Sequence, residues 1–144
     1  MKEEKIIIHT DGGARGNPGP AACAFVAESG NKKVGRGYLF LGVSTNNYAE
    51  YQGIILALKW VVKEFSTSNP RSSVHINSDS ELVVKQLNGL YKVKNQNLKV
   101  LNDEIKKIIS THNFKISFNN IPRSQNKFAD QLVNEELDNK FPRK

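Results

Sequence analysis

Apolar positions along this chain recur with two periods, and the change from one to the other marks the elements. "EKIIIHT" is a short β-branched run of the kind that enters the middle of a sheet. "AACAFVAE" and "KVGRGYLFLG" predict two further strands, with "SGNK" as the turn between them. Strands joined this tightly form an antiparallel meander. In "STNNYAEYQGIILALKWVVKEF" the spacing becomes helical: Tyr51, Ile54, Ile55, Leu58, Val61, Val62 and Phe65 share one stripe. Ser44, Thr45 or Asn46 can cap its start, and "STSNPRS" ends it. "SVHINSD" predicts a fourth strand that leads directly into a short helix, "SELVVKQLNG", with Gly89 as its C-cap. "NLKVLNDEIKKIIS" is a further amphipathic helix and "FKISFNNI" a last strand. A final helix from about Asn126 places Ala129, Leu132, Val133 and Leu137 on one face. This order describes one α/β domain over residues 1–144 on a mixed sheet, with the tail "NKFPRK", about 139–144, expected to fray.

Composition narrows the class. A chain of 144 residues can close a core without staples, and its single cysteine, Cys23, allows no internal disulfide framework. No apolar run approaches the ~20 residues of a membrane span, and the charged start "MKEEK" is unlike a signal peptide. The expectation is a soluble, cytoplasmic protein with no membrane partner, working as a monomer. A net charge of +7 points to a polyanionic partner, although lysine-rich surfaces also serve solubility.

Four acids occupy matching places. Asp11 is expected to end the first strand and Asp79 the fourth; if these strands are parallel neighbours, both carboxylates emerge at one sheet edge. Glu50 falls in the opening turn of the long helix, on the margin of its apolar stripe. Asp130 falls in the opening turn of the last helix, three residues before Val133. Singly, each acid can be explained by the helix dipole or by turn preference. Four at four element ends, all toward the core side, point to one site. Two charges ~4 Å apart repel by ~4 kcal/mol at an effective dielectric of 20, so a cation must hold them together. Oxygen ligands without convergent histidine or cysteine suit magnesium or manganese, and four carboxylates can hold two such ions.

The glycine-rich stretch "GGARGNPG" is no nucleotide loop of the strand-to-helix kind, because Pro18 and Pro20 exclude a helix and a strand follows. Beside the nearby acids its glycines suit close approach of backbone amides to a sugar-phosphate chain, with Arg15 and Asn17 as side-chain contacts; without those acids a merely flexible connector would be the preferred reading.

The blocks "HTDGGARGNPGP", "STNNYAEYQG", "INSDSELVVKQLNG" and "IPRSQNKFADQLVNEELD" together resemble, in order, the motif blocks of type 1 ribonuclease H across nearly the whole chain. The resemblance implies a five-stranded mixed sheet, ordered 3-2-1-4-5 and flanked by helices. It implies magnesium-dependent cleavage of RNA in an RNA–DNA hybrid, leaving a 3′-hydroxyl and a 5′-phosphate. By position Asp11, Glu50, Asp79 and Asp130 match the metal-binding acids. Asn17, Asn46 and Asn47 match residues that contact RNA 2′-hydroxyls and the minor groove, and Gly12, Ser80, Arg123 and Asn126 fall among the substrate-binding positions.

The chain also departs from the family pattern. The basic protrusion that many bacterial members carry is replaced by the short "NGLYKVKNQN", and no separate N-terminal hybrid-binding domain is expected. Lys85, Lys92, Lys94 and Lys99 are the candidates for phosphate contacts there. The loop before the last helix, "NIPRSQNKFAD", has Arg123 where many members have a histidine. His112 reads as a loop histidine and His9 and His75 as ordinary strand residues. A proofreading exonuclease would carry an Asp-x-Glu pair on the first strand, and a retroviral-type integrase a different acidic triad. A catalytically dead module that only binds hybrid or double-stranded RNA is the remaining alternative, and the intact set of four acids argues against it.

Overall fold

The computed structural model describes residues 5–65, 73–112 and 115–140. Its elements are β1 (Lys5–Ala14), β2 (Gly19–Ser29), β3 (Lys32–Ser44), α1 (Asn46–Phe65), β4 (Ser73–Ser78), α2 (Glu81–Leu87), α3 (Gln96–His112), β5 (Lys115–Asn120), a 3-10 turn (Arg123–Gln125) and α4 (Lys127–Lys140). The five strands form one sheet in the order β3-β2-β1-β4-β5, as the resemblance implies. β1, β2 and β3 are the antiparallel meander expected from their short connections, while β4 lies parallel to β1 and β5 parallel to β4.

Alternation in β1 and β4 buries Ile6, Ile8, Val74 and Ile76 against the stripe of α1, where Tyr51, Ile54, Ile55, Leu58 and Val61 are also buried. Removing these side chains from water is the main stabilising term, at ~1.5–3 kcal/mol for each large one. α3 adds Leu98, Leu101 and Ile105 to the same core, and α4 packs Leu132, Val133 and Leu137 over Ala22, Ala24 and Val26 of β2 on the other sheet face. Thr45 caps α1, its Oγ1 accepting the Tyr48 N–H at 3.2 Å; Ser80 caps α2 and Asn95 caps α3 in the same way. One polar cluster lies inside the core. Tyr51, an apolar stripe position in the sequence, donates its hydroxyl to Gln86 Oε1 at 2.7 Å and accepts from Asn102 Nδ2 at 3.2 Å, joining α1, α2 and α3.

Several boundaries differ from expectation. β1 does not end at Asp11 but continues through Gly12 and Gly13 to Ala14, still paired with β2. The glycine loop therefore shrinks to a tight turn closed by Arg15 N–H donating to Pro20 O at 2.8 Å. α2 is capped by Asn88 rather than Gly89, which follows at a φ of 77°, the left-handed conformation glycine supplies at a helix end. His112 is the last residue of α3 rather than a loop residue, and Asn139 and Lys140 belong to α4. The stretches "MKEE", "STSNPRS" and "FPRK" and the side chain of Phe65 lie outside the described residues. Among those described, no helix is long and apolar enough to cross a membrane.

Candidate active site

The parallel pairing of β1 with β4 stops at Thr10 and Ser78. Asp11 and Asp79 are the next residues on each strand, so the two carboxylates leave the ladder side by side. Glu50 reaches them because α1 lies directly against β1: a Cβ on Gly12 would overlap the Ala49 carbonyl, and one on Gly53 would come within 2.8 Å of Asp11 O. Two glycines, one on each element, permit this approach. Gly12 thus lacks a side chain because the helix backbone packs against it, whatever else its position at the cleft serves. Asp11, Glu50 and Asp79 each offer an oxygen within 4.8 Å of the others. Asp130 does not join that group. It stands exposed on the first turn of α4, on the rim of the same cleft, which has a volume of about 440 Å³.

Burial sets the electrostatics. Asp11 and Glu50 are only 7% and 8% exposed. Burial first, and then the charge of Asp79, push the Asp11 carboxyl up to about 7, with Asp130 adding to the rise and the Gly12 N–H opposing it. Glu50 is driven well above the carboxylate range by burial and then by Asp11 and Asp79. The charge of Glu50 reaches Cys23 as well, whose thiol, raised mainly by burial, goes to about 12 and is inert at neutral pH. Glu50 Oε1 is buried without a hydrogen-bond donor among the described residues. An acceptor orphaned among like charges, in an all-oxygen donor set, fits a hard divalent cation.

The remaining candidates divide into those at the cleft and those turned elsewhere. Gly12, Arg15, Asn46, Asn47, Ser80 and Arg123 all line it. Asn46 is also structural: its Oδ1 accepts the Ala14 N–H at 2.8 Å, and its own N–H donates to Asn17 Oδ1 at 3.0 Å, fastening the β1–β2 turn to the start of α1. Arg15 reaches over the cleft to α4, where Nη2 meets Asp138 Oδ1 at 2.6 Å, a partner the sequence did not suggest. Asn126 is buried beneath the site rather than exposed to it. Asn47 and Asn17 border a second hollow of about 550 Å³ with Thr45, an expected helix cap, and with Asn95 and Asn97, two asparagines at the start of α3 that no sequence motif singles out. Lys92, Lys94 and Lys99 are exposed, whereas Lys85 donates to Glu81 Oε1 at 2.6 Å and to the Tyr91 hydroxyl at 3.3 Å.

Comparison with known proteins bears on the family and the fold. The family profile described as "Reverse transcriptase-like" matches residues 9–136. LC11-RNase H1, solved in complex with an RNA/DNA hybrid, is 39% identical with a TM-score of 0.90, covering 94% of this chain and 98% of that one. The N-terminal RNase H domain of Rv2228c from Mycobacterium tuberculosis is 35% identical, with a TM-score of 0.85 over 94% of this chain and 95% of that one. RNase H1 from Halobacterium salinarum is 34% identical, with a TM-score of 0.84 over 94% and 98%. The chain spans 36% of the length of the bifunctional mycobacterial protein Rv2228c, and 65% of the Halobacterium salinarum ribonuclease HI sequence.

Proposed function

This chain belongs to the type 1 ribonuclease H family, and from that premise we propose that it is a metal-dependent endonuclease. It hydrolyses the RNA strand of RNA–DNA hybrids and leaves 3′-hydroxyl and 5′-phosphate ends. The observation that carries the reading is the meeting of Asp11, Glu50 and Asp79, from three different elements, within 4.8 Å at the floor of a cleft. A protein that only bound hybrid would gain nothing from such repulsion beside phosphates.

Asp11, Glu50 and Asp79 would hold the cation, magnesium in the cell with manganese as a substitute, and Asp130 on the rim would contribute to a second ion. When bound, such ions offset charge on the phosphodiester and make a nearby water more acidic. The chain's own groups do the rest. α1 and β1 close the floor from behind, so the buried carboxylates sit away from bulk water and their charge is weakly screened. Asn46 and Asn47 present amides at the cleft wall, where a 2′-hydroxyl can donate and accept; this is the group that separates RNA from DNA. Arg123 is permanently charged and exposed at the same cleft, suited to draw a phosphate but not to carry a proton. Lys92, Lys94 and Lys99 extend a basic surface for the DNA backbone. The protein acts as a cytoplasmic monomer.

The test uses a labelled hybrid, a matched RNA duplex and a DNA duplex, each with magnesium, manganese or chelator. The hybrid should be cut only with metal, and Asp79→Asn should lose nearly all activity. Cleavage that survives chelation or persists in Asp79→Asn refutes the assignment. Tight hybrid binding without cleavage in either metal would favour the binding-module alternative, and cutting of the RNA duplex would widen the substrate class.

A further inference from the structure

Asn126 comes from one of the most hydrophilic stretches of the chain, "SQNKFAD", yet it is only 1% exposed. A buried amide is costly unless its donors are met, and these are. Nδ2 donates to Thr10 O at 2.8 Å and to Asp79 Oδ2 at 3.1 Å. Both partners are acceptors, so a flipped amide would set oxygen against oxygen; the orientation is dictated by chemistry. The backbone carbonyl of Asn126 meanwhile accepts the Asp130 N–H at 3.1 Å, in the first turn of α4. Its Oδ1 is buried with no donor among the described residues. A residue kept for stability alone would not carry that cost.

Asn126 therefore ties together the residue before Asp11, the carboxylate of Asp79 and the amide of Asp130. We propose that it is a positioning residue for the carboxylate site, orienting Asp79 Oδ2 and setting where α4 presents Asp130. The proposal rests on the metal-site reading above. The side chain must supply two donors without charge. Lysine or arginine would pair with Asp79 and cancel the charge a cation needs, aspartate would repel it, and glutamine is one methylene too long for the same two acceptors.

The test measures Mn²⁺ binding to substrate-free protein by isothermal titration calorimetry, for the natural chain, Asn126→Asp and Asn126→Ala, beside hybrid cleavage. Both variants should bind Mn²⁺ about 10- to 100-fold more weakly, the range for groups that orient metal ligands. Turnover should fall while KM for hybrid stays within about twofold. An Asn126→Ala protein that melts earlier but binds Mn²⁺ unchanged would overturn the proposal. Should both variants fail to fold, the natural chain still decides. The Asn126 side-chain amide should be protected from exchange in ¹⁵N spectra and shift on adding Mg²⁺; a rapidly exchanging, unmoved signal overturns the role. If the variants lose Mn²⁺ affinity but even the natural chain leaves hybrid uncut, the positioning role stands and the ribonuclease reading falls.

Discussion

Replacing Asp11 with asparagine should raise the melting temperature of the metal-free protein, and the gain should depend on pH. The folded state pushes the Asp11 carboxyl from 3.8 up to about 7, by burial first and the charge of Asp79 second. A folded pKa above the unfolded one means that the folded protein holds this proton more tightly. Stability is then full below the unfolded pKa and is lost as pH rises, by ~1.4 kcal/mol per unit, until about pH 7. The ceiling is ~4 kcal/mol, reduced to the extent that Asp11 and Glu50 share a proton. Asparagine keeps the shape and an acceptor for the Gly12 N–H, and removes the ionisation. For a domain this size the entropy of unfolding is ~0.3 kcal/mol/K, so a gain of about 1–4 kcal/mol corresponds to ~3–13 °C. Calorimetric scans with chelator at pH 5, 6, 7 and 8 should show the difference growing to pH 7 and then levelling. Adding Mg²⁺ should reverse the order, because binding to the folded state stabilises the natural chain by ~2.7 kcal/mol at 100 times Kd and the variant less. Asp103→Asn on α3, exposed and not among the residues lining the cleft, should show neither effect. A metal-free melting point that falls in Asp11→Asn, or a shift that ignores pH, would mean that the three carboxylates do not form one electrostatic unit.

Other perturbations test the surroundings. Removing Lys92, Lys94 or Lys99 should each flatten the log–log salt dependence of hybrid affinity by up to ~0.9 if each meets one phosphate; Lys85, already held by Glu81, should contribute less. Arg123→Ala should lower turnover without abolishing it, and the pH–rate profile should show no imidazole step near ~6.5, because no histidine lines the cleft among the described residues. Tyr51→Phe should cost ~1–3 kcal/mol in urea unfolding, since Gln86 and Asn102 would each lose their shared hydroxyl inside the core. Asp138→Asn should change stability by less than ~1 kcal/mol, its bond to Arg15 being an exposed ion pair.

Much of this protein is legible along the chain because its physics is local. The β-branched run "IIIHT" marks a buried strand, the three-and-four spacing of α1 reports which of its faces is buried, and Thr45 is legible among the candidate caps because a short oxygen side chain can meet an orphaned N–H. The acids were recognisable for a related reason: charged groups at the ends of buried elements cost free energy and need an explanation. Tertiary structure decided which of them meet. Asp11 and Glu50 are far apart in sequence and touch only because Gly12 and Gly53 let α1 lie against β1. Asp130 shares the apolar face of α4 by helical count, yet it stays on the rim outside the three-carboxylate group. Asn126, expected among the substrate-binding positions, is buried under Asp79, and Arg15, expected to contact a sugar-phosphate chain, lines the cleft and also pairs with Asp138. Residue type and periodicity determine what each element is and which groups can do chemistry. Distances between elements depend on packing among residues remote in sequence, and only the folded chain contains them.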